Sequence, residues 1–221
     1  MKLGLGAIHD LGDDTLQFAR QLGVDNIILH TPQLDNGGFW EFQPLLRLRR
    51  RIEAAGLNLA AIENIPSGFY DRIMYGLRGR DQQIENVCKT IRNLGRAGIP
   101  ILGYHFMPLS VWRTERTPTG RGGALVTKYD HELVKNAPVG EMGEYGDEAL
   151  WENLSYFLKV VVPVAEEEGV VLALHPDDPP VPMIAGIARI IRSFEAYKRV
   201  MEIAPSPSNA IEFCQGTISE M

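Results

Sequence analysis

Two side chains set the chemical question. His175 closes the apolar run 170–175 (VVLALH), and Cys214 closes the run 209–214 (NAIEFC). A neutral imidazole and a thiolate together suit a borderline divalent metal such as Mn2+, Fe2+ or Zn2+. Each also has an ordinary explanation. A cysteine in a strand is commonly a small buried hydrophobe, and a histidine before Pro-Asp-Asp can cap a turn. Two donors do not complete a site, so at least one or two more must come from elsewhere. Glu63 is another candidate, because a carboxylate that ends an apolar strand on the loop side has no cheap structural reason to be there. His9, His30 and His105 occupy similar strand-end positions, where packing or a satisfied hydrogen bond is the commoner role. Trp112-Arg113 reads equally well as an aromatic wall beside a carboxylate clamp or as an exposed loop pair. The arginines of 47–51 read as a solvated helix face, and the turn 76–80 (GLRGR) as a weak contact for an anion.

These residues need elements to hold them. Runs 2–8, 26–30, 57–63, 99–106, 170–175 and 209–214 read as strands covered on both faces. Between them the periodicity predicts helices. One opens at Asp13, with Asp13 or Asp14 as cap, and one begins near Pro44. Another carries the stripe Ile84, Val87, Ile91 and Leu94, and a fourth the stripe Leu150, Leu154, Leu158 and Val161. A fifth spans roughly 189–203, and Pro163 is expected to kink the fourth or mark a new start. Such alternation means parallel βαβ units, as an open sheet or a closed barrel. The first turn carries no Gly-rich phosphate loop. His9, His30, Glu63, His105, His175 and Cys214 all stand at strand ends, the face on which a (β/α)8 barrel builds its active site. The stretch 107–147 is far longer than an ordinary βα connection and reads as a lid or substrate-binding insertion.

Composition narrows the class. The 221 residues are 45% apolar and 23% charged, ordinary for a folded domain, and 22 Lys+Arg against 28 Asp+Glu give a net charge of −6. That balance argues against a nucleic-acid or anionic-membrane binder. No apolar run is long enough for a membrane helix, and the first residues lack a signal-peptide stretch. Two cysteines are too few for a disulfide framework, so the expected location is the cytoplasm.

The segments 103–108 (GYHFMP) with Trp112-Arg113-Thr114, 172–180 (LALHPDDPP), and 213–217 (FCQGT) with Ser219-Glu220-Met221 resemble mannonate dehydratases. Residues 63–66 (ENIP) and the Arg80-Asp81 helix start extend the resemblance over essentially the whole chain, although YHFMP departs from the family's usual Asn after Tyr. The resemblance implies a xylose-isomerase-like (β/α)8 TIM barrel. It implies dehydration of D-mannonate, a small sugar acid, to 2-keto-3-deoxy-D-gluconate in hexuronate catabolism, with Mn2+ or Fe2+ as cofactor. His175 and Cys214 match two of four metal ligands, and Glu63, His105, Trp112, Arg113 and Asp177 are expected to contact substrate. The family's other ligands, a His and an Asp, and its acid/base His and Tyr belong to strands seven and eight and have no counterpart up to Met221. The catalytic acid and base are therefore unassigned, and activity is expected to need a further C-terminal part.

On this reading, 1–221 is one TIM-barrel domain with about six βα units, C-terminally incomplete, and 107–147 is an insertion after the fourth strand. A whole barrel takes about 250 residues. An unclosed barrel leaves two bare sheet edges, which invites self-pairing into a homo-oligomer. The alternatives are another metal-dependent sugar isomerase or epimerase of the same barrel type, or a catalytically silent sugar-acid-binding fragment.

Overall fold

The computed structural model describes residues 2–34 and 37–221. Five strands follow one another: β1 (Gly4–Ile8), β2 (Asn26–His30), β3 (Asn58–Glu63), β4 (Ile101–Tyr104) and β5 (Val171–Leu174). A short antiparallel hairpin intervenes, β6 (Met183–Ile184) with β7 (Ile187–Ala188), before β8 (Asn209–Ile211). Strands β1 to β5 and β8 form one sheet in chain order, and every neighbouring pair is parallel. Parallel strands in sequential order with helical crossovers are the course of a TIM barrel, here over six βα units with β1 and β8 outermost.

The helices are α1 (Asp13–Gln21), α2 (Phe42–Ala54), α3 (Asp71–Met74), α4 (Arg80–Ala97), α5 (His131–Val134), α6 (Asp147–Glu167), α7 (Phe194–Ile203) and α8 (Gln215–Ile218). Helix α4 packs against both α2 and α6. Its stripe Ile84, Val87, Ile91 and Leu94 is buried, as the periodicity predicts, and Gly98 ends it at φ 69°, where a side chain would be strained. Strand alternation does the rest. Leu102 and Tyr104 of β4 are buried, and Tyr104 meets Phe157 of α6 with ring centroids 5.9 Å apart. Gly103 between them faces the opposite side, where the strand-end residues lie.

Three local expectations change. Neither Asp13 nor Asp14 caps α1. Gly12 stands at the cap without a side-chain bond, and the two aspartates lie in the first turn, where the helix dipole favours them. Helix α6 continues through Pro163, so no new helix starts there. Helix α7 starts at Phe194 instead of 189, because Ser193 accepts from the Ala196 N–H at 3.2 Å and sets the cap there. The stretch between β4 and α6 contains a single-turn 3-10 segment (Arg121–Gly123), α5, and antiparallel bridges Glu115–Lys128 and Thr119–Leu125. Among the described residues, no helix is long and apolar enough to cross a membrane.

Candidate active site

The carboxyl ends of β2 to β5 open into a cleft of about 420 Å3, whose walls include His30, Glu63, His105, His175, Arg113 and Asp178. The chain is locally unusual there. Among the described non-glycine residues, Thr31, Asn64, Ser110 and Ala185 have positive φ, and the first three line this cleft. Left-handed backbone at such residues is held in place by its surroundings and clusters at functional sites.

Two histidines of the cleft, His30 and His105, are shifted toward their neutral forms. Burial lowers the His30 pKa, the neighbouring His9 adds to this, and Glu63 opposes it. The His9 and His30 rings are 4.3 Å apart, and His30 Nε2 lies 3.1 Å from Asn64 Nδ2. An amide nitrogen can only donate, so Nε2 accepts and the proton is on Nδ1. His105 is pushed down to about 3, by desolvation first and then by His175, Arg189 and His30. Its Nδ1 accepts from the Met107 N–H at 3.2 Å. His175 Nδ1 lies 2.7 Å from the Pro176 carbonyl, which can only accept. In the neutral ring Nδ1 therefore carries the proton and Nε2 the lone pair, the tautomer that a metal-binding imidazole requires.

A second cleft, also about 420 Å3, lies beside the first and is lined by Cys214, Gly216, Thr217 and Glu220 together with Thr127 and Tyr129. Cys214 Sγ is 3.3 Å from Thr217 Oγ1. Arg113 and Asp178 line both clefts and form the wall between them. They meet through two parallel bonds of 2.6 Å, and Asp178 raises the already high pKa of Arg113. Two backbone contacts steady this wall: Trp112 N donates to the Asp178 carbonyl at 3.3 Å, and Arg113 Nη1 donates to the Trp112 carbonyl at 3.0 Å.

The structure thus gathers Glu63, His105, Arg113 and His175 around one cleft and places Cys214 in the next. Strands β5 and β8 are neighbours, yet Cys214 lies three residues past Ile211, whereas His175 directly follows Leu174. Among the described residues, no three or more His, Cys, Asp or Glu side chains cluster as a metal cage. By donor chemistry, the free His175 Nε2 and the half-buried Cys214 thiol still suit a borderline divalent ion. Trp112 and Asp177 line neither cleft. Asp177 is buried, its Oδ2 accepts from the Ile191 N–H at 2.6 Å, and desolvation pushes its pKa up to about 6 against the pull of Arg189.

Sequence reasoning missed Glu212. Its Oε2 is buried without a hydrogen-bond partner, and its pKa is pushed up to about 8, by desolvation first and then by Glu63. A Cβ built on Gly103 would lie 2.7 Å from that oxygen and 3.1 Å from the Glu63 Cα, so Glu212 reaches over β4 toward Glu63. The signal was available, since Glu212 precedes Cys214 by two positions and shares its side of an extended chain.

A family model described as D-mannonate dehydratase (UxuA) matches residues 10–145 and 141–221. Mannonate dehydratase from Thermotoga maritima is 36% identical, the match covering 92% of this chain and 65% of that protein. The enzyme of the same name from Streptococcus equi subsp. zooepidemicus is 33% identical, with 88% and 60% covered. The crystal structure of mannonate dehydratase from Streptococcus suis serotype 2 superposes with a TM-score of 0.86 at 33% identity, covering 99% of this chain and 64% of that one. D-psicose 3-epimerase from Clostridium cellulolyticum H10 shares the fold alone, with a TM-score of 0.59 at 11% identity over 96% of this chain and 62% of that one. The chain spans 60–65% of the length of these mannonate dehydratases.

Proposed function

The chain belongs to the D-mannonate dehydratase (UxuA) family, and from that premise we propose that it binds D-mannonate in the strand-end cleft and serves the metal-dependent dehydration of this sugar acid to 2-keto-3-deoxy-D-gluconate. The location that goes with this reading is the cytoplasm, and the metal is Mn2+ or Fe2+. The observation that carries it is the tautomer of His175, whose Nδ1 proton is committed to Pro176 while Nε2 stays open beside Glu63, His105 and Arg113. His175 and Cys214 would hold the ion. The chemistry such an ion supplies when bound is Lewis-acid stabilisation of negative charge on the substrate carboxylate.

The chain's own residues then take distinct parts. Arg113, fixed by its two bonds to Asp178, lines the cleft as a positive charge toward which C1 of the sugar acid orients. Loss of the C2 proton builds charge next to that carboxylate, and a fixed guanidinium stabilises it without reorganisation. His105 is neutral throughout the physiological range and presents a polar edge without adding positive charge. Glu63 stands at the end of β3 and lines the cleft, where its carboxylate would accept a hydrogen bond from a sugar hydroxyl. The stretch 107–147, read as an insertion in a single barrel domain, contributes Arg113 and Tyr129 to the walls.

The test is direct. The chain is incubated with Mn2+ and D-mannonate, and both bound metal and the 2-keto-3-deoxy product are measured. Metal bound by the native chain and lost in Cys214→Ala and His175→Ala, with mannonate binding to the native chain, supports the reading. Full metal retention in both variants, or aldose–ketose interconversion in place of dehydration, overturns it.

A further inference from the structure

His30, His105 and His175 all line the strand-end cleft, and fixed partners give each a different face to it. His30 offers the cleft neither a donor nor an acceptor, because its Nε2 accepts from Asn64 and its Nδ1 is sealed from the surface without a partner. His175 commits its Nδ1 proton to the Pro176 carbonyl and is left with a lone pair on Nε2. His105 has the opposite tautomer. Its Nδ1 lies 3.2 Å from the Met107 backbone nitrogen. A backbone N–H can only donate, so Nδ1 is the acceptor and the single ring proton is on Nε2. A doubly protonated ring does not fit this geometry, since it would have no lone pair for Met107.

Local structure and packing hold this donor in place. His105 directly follows β4, and its bond partner is the backbone two positions on, so the chain that carries the ring also sets its orientation. Met107 is itself 1% exposed, and its sulfur accepts from the Asp178 N–H at 3.2 Å. The Tyr70 ring packs against the imidazole with centroids 5.7 Å apart. His105 is 6% exposed and yet lines the cleft. Among the described residues its Nε2 has no hydrogen-bond partner, and it is not sealed from the surface as the Arg189 nitrogens are. The small part of His105 that reaches the cleft therefore includes its N–H.

Its place on the sheet gives that N–H a target. Strands β4 and β5 pair Tyr104 with Leu174, and His175 N donates to the Tyr104 carbonyl at 2.8 Å, so the pairing carries on to the next residues. His105 and His175 are thus cross-strand neighbours at the usual strand spacing of about 4.8 Å, one with a proton for the cleft and the other with a lone pair. A carboxylate has two oxygens. The two rings suit both, with a hydrogen bond for one and, for the other, the ion that His175 would hold. A neutral donor fits beside a cation where a charged one would be repelled. Burial and the neighbouring charges push the His105 pKa down to about 3, in keeping with the tautomer that Met107 imposes.

We infer that His105 Nε2–H is an oxyanion donor to the substrate carboxylate, holding the oxygen on which negative charge grows as the C2 proton leaves. The assignment rests on the sugar-acid reading above. His105 makes and breaks no covalent bond. Its proton stays on Nε2 throughout, and the hydrogen bond strengthens as charge accumulates on the acceptor. The residue also favours the acid over a neutral polyol, because a hydroxyl at the same place carries no charge for the N–H to stabilise.

Nuclear magnetic resonance and calorimetry test this together, with Zn2+ as a diamagnetic ion. On the full chain carrying nitrogen-labelled histidine, His105 should show its proton on Nε2. That proton signal should move downfield with D-mannonate and stay in place with neutral D-mannitol. By calorimetry, His105→Phe should bind D-mannonate about tenfold more weakly with mannitol unchanged. His105→Gln, which keeps an amide donor, should recover part of the loss. A ring protonated on Nδ1, or an undiminished mannonate affinity in His105→Phe, overturns the assignment alone. Equal losses for mannonate and mannitol would make His105 a packing residue and overturn it as well. A native chain that fails to prefer mannonate over mannitol overturns the sugar-acid reading and the assignment with it.

Discussion

The two clefts that share the Arg113–Asp178 wall are built in opposite ways. The first is floored by the ends of four adjacent strands, with left-handed backbone at Thr31, Asn64 and Ser110 and with His30 and His105 shifted toward their neutral forms by burial and by neighbouring histidines. The second is assembled from the long stretch after β4 and from the turn-and-a-bit of helix that follows β8, with Gly216 and Glu220 exposed. One rests on hydrogen-bonded parallel strands, and the other on a four-residue helix and a long connection. A metal-binding pair divided between them, as His175 and Cys214 are, has one donor fixed by the fold and one carried on a lighter support.

Glycine substitution should separate the two floors most strongly. Gly103→Ala drives a Cβ to 2.7 Å from Glu212 Oε2 and 3.1 Å from the Glu63 Cα, and the second neighbour is backbone that cannot turn aside. The expected loss is about 1–3 kcal/mol in urea denaturation. Gly216→Ala meets nothing within 4 Å, and its φ is not in the left-handed region, so its effect should stay within about 0.5 kcal/mol or be stabilising. Equal costs at the two sites would erase the contrast between the clefts.

Acid should act on the first cleft next. The folded-state pKa of His105 is near 3 against an ordinary 6.5, so the unfolded chain binds the proton more readily. Stability from this group is complete above pH 6.5 and falls as pH drops toward 3, by up to about 1.4 kcal/mol per pH unit. His105→Gln should flatten that acid limb of the stability profile, and an unchanged slope would show that His105 is protonated at no such cost.

The smallest effect belongs to the second cleft. Thiol labelling of the native chain should modify Cys214, which is half-buried, and leave Cys88, 2% exposed within α4, until unfolding. Thr217→Val removes the hydroxyl 3.3 Å from Cys214 Sγ and should cost about 1 kcal/mol or less, changing the Cys214 labelling rate only a few-fold. Labelling of both thiols at similar rates would show that α4 opens as easily as the cleft.

Much of this architecture can be read from the residues in order. Continuous apolar runs flanked by 3.6-period stripes predict β1 to β5, β8 and the long helices, because those signals come from burial itself. Glu63 and His175 were readable as site candidates because a polar side chain at the end of an apolar strand has few other reasons to be there. The hairpin β6–β7, with two residues in each strand, is too short to leave a period, so periodicity alone starts the following helix five residues early and absorbs Arg189. Glu212 is masked in the sequence because it falls inside an apolar run that ends in a cysteine. The separation of His175 from Cys214 depends on how far each overhangs its strand and on Arg113 reaching Asp178 from 65 positions away, which no local pattern carries.

The clasp between Asp177 and Ile191 has a consequence in chain entropy. It closes a loop of 14 residues, and the free energy of closing such a loop grows only as the logarithm of its length. Once closed, the loop leaves the backbone at Arg189 little freedom left to lose. The stretch is thus ordered when the domain forms, and Arg189 is carried into the interior by its backbone, with Asp177 as the charge beside it.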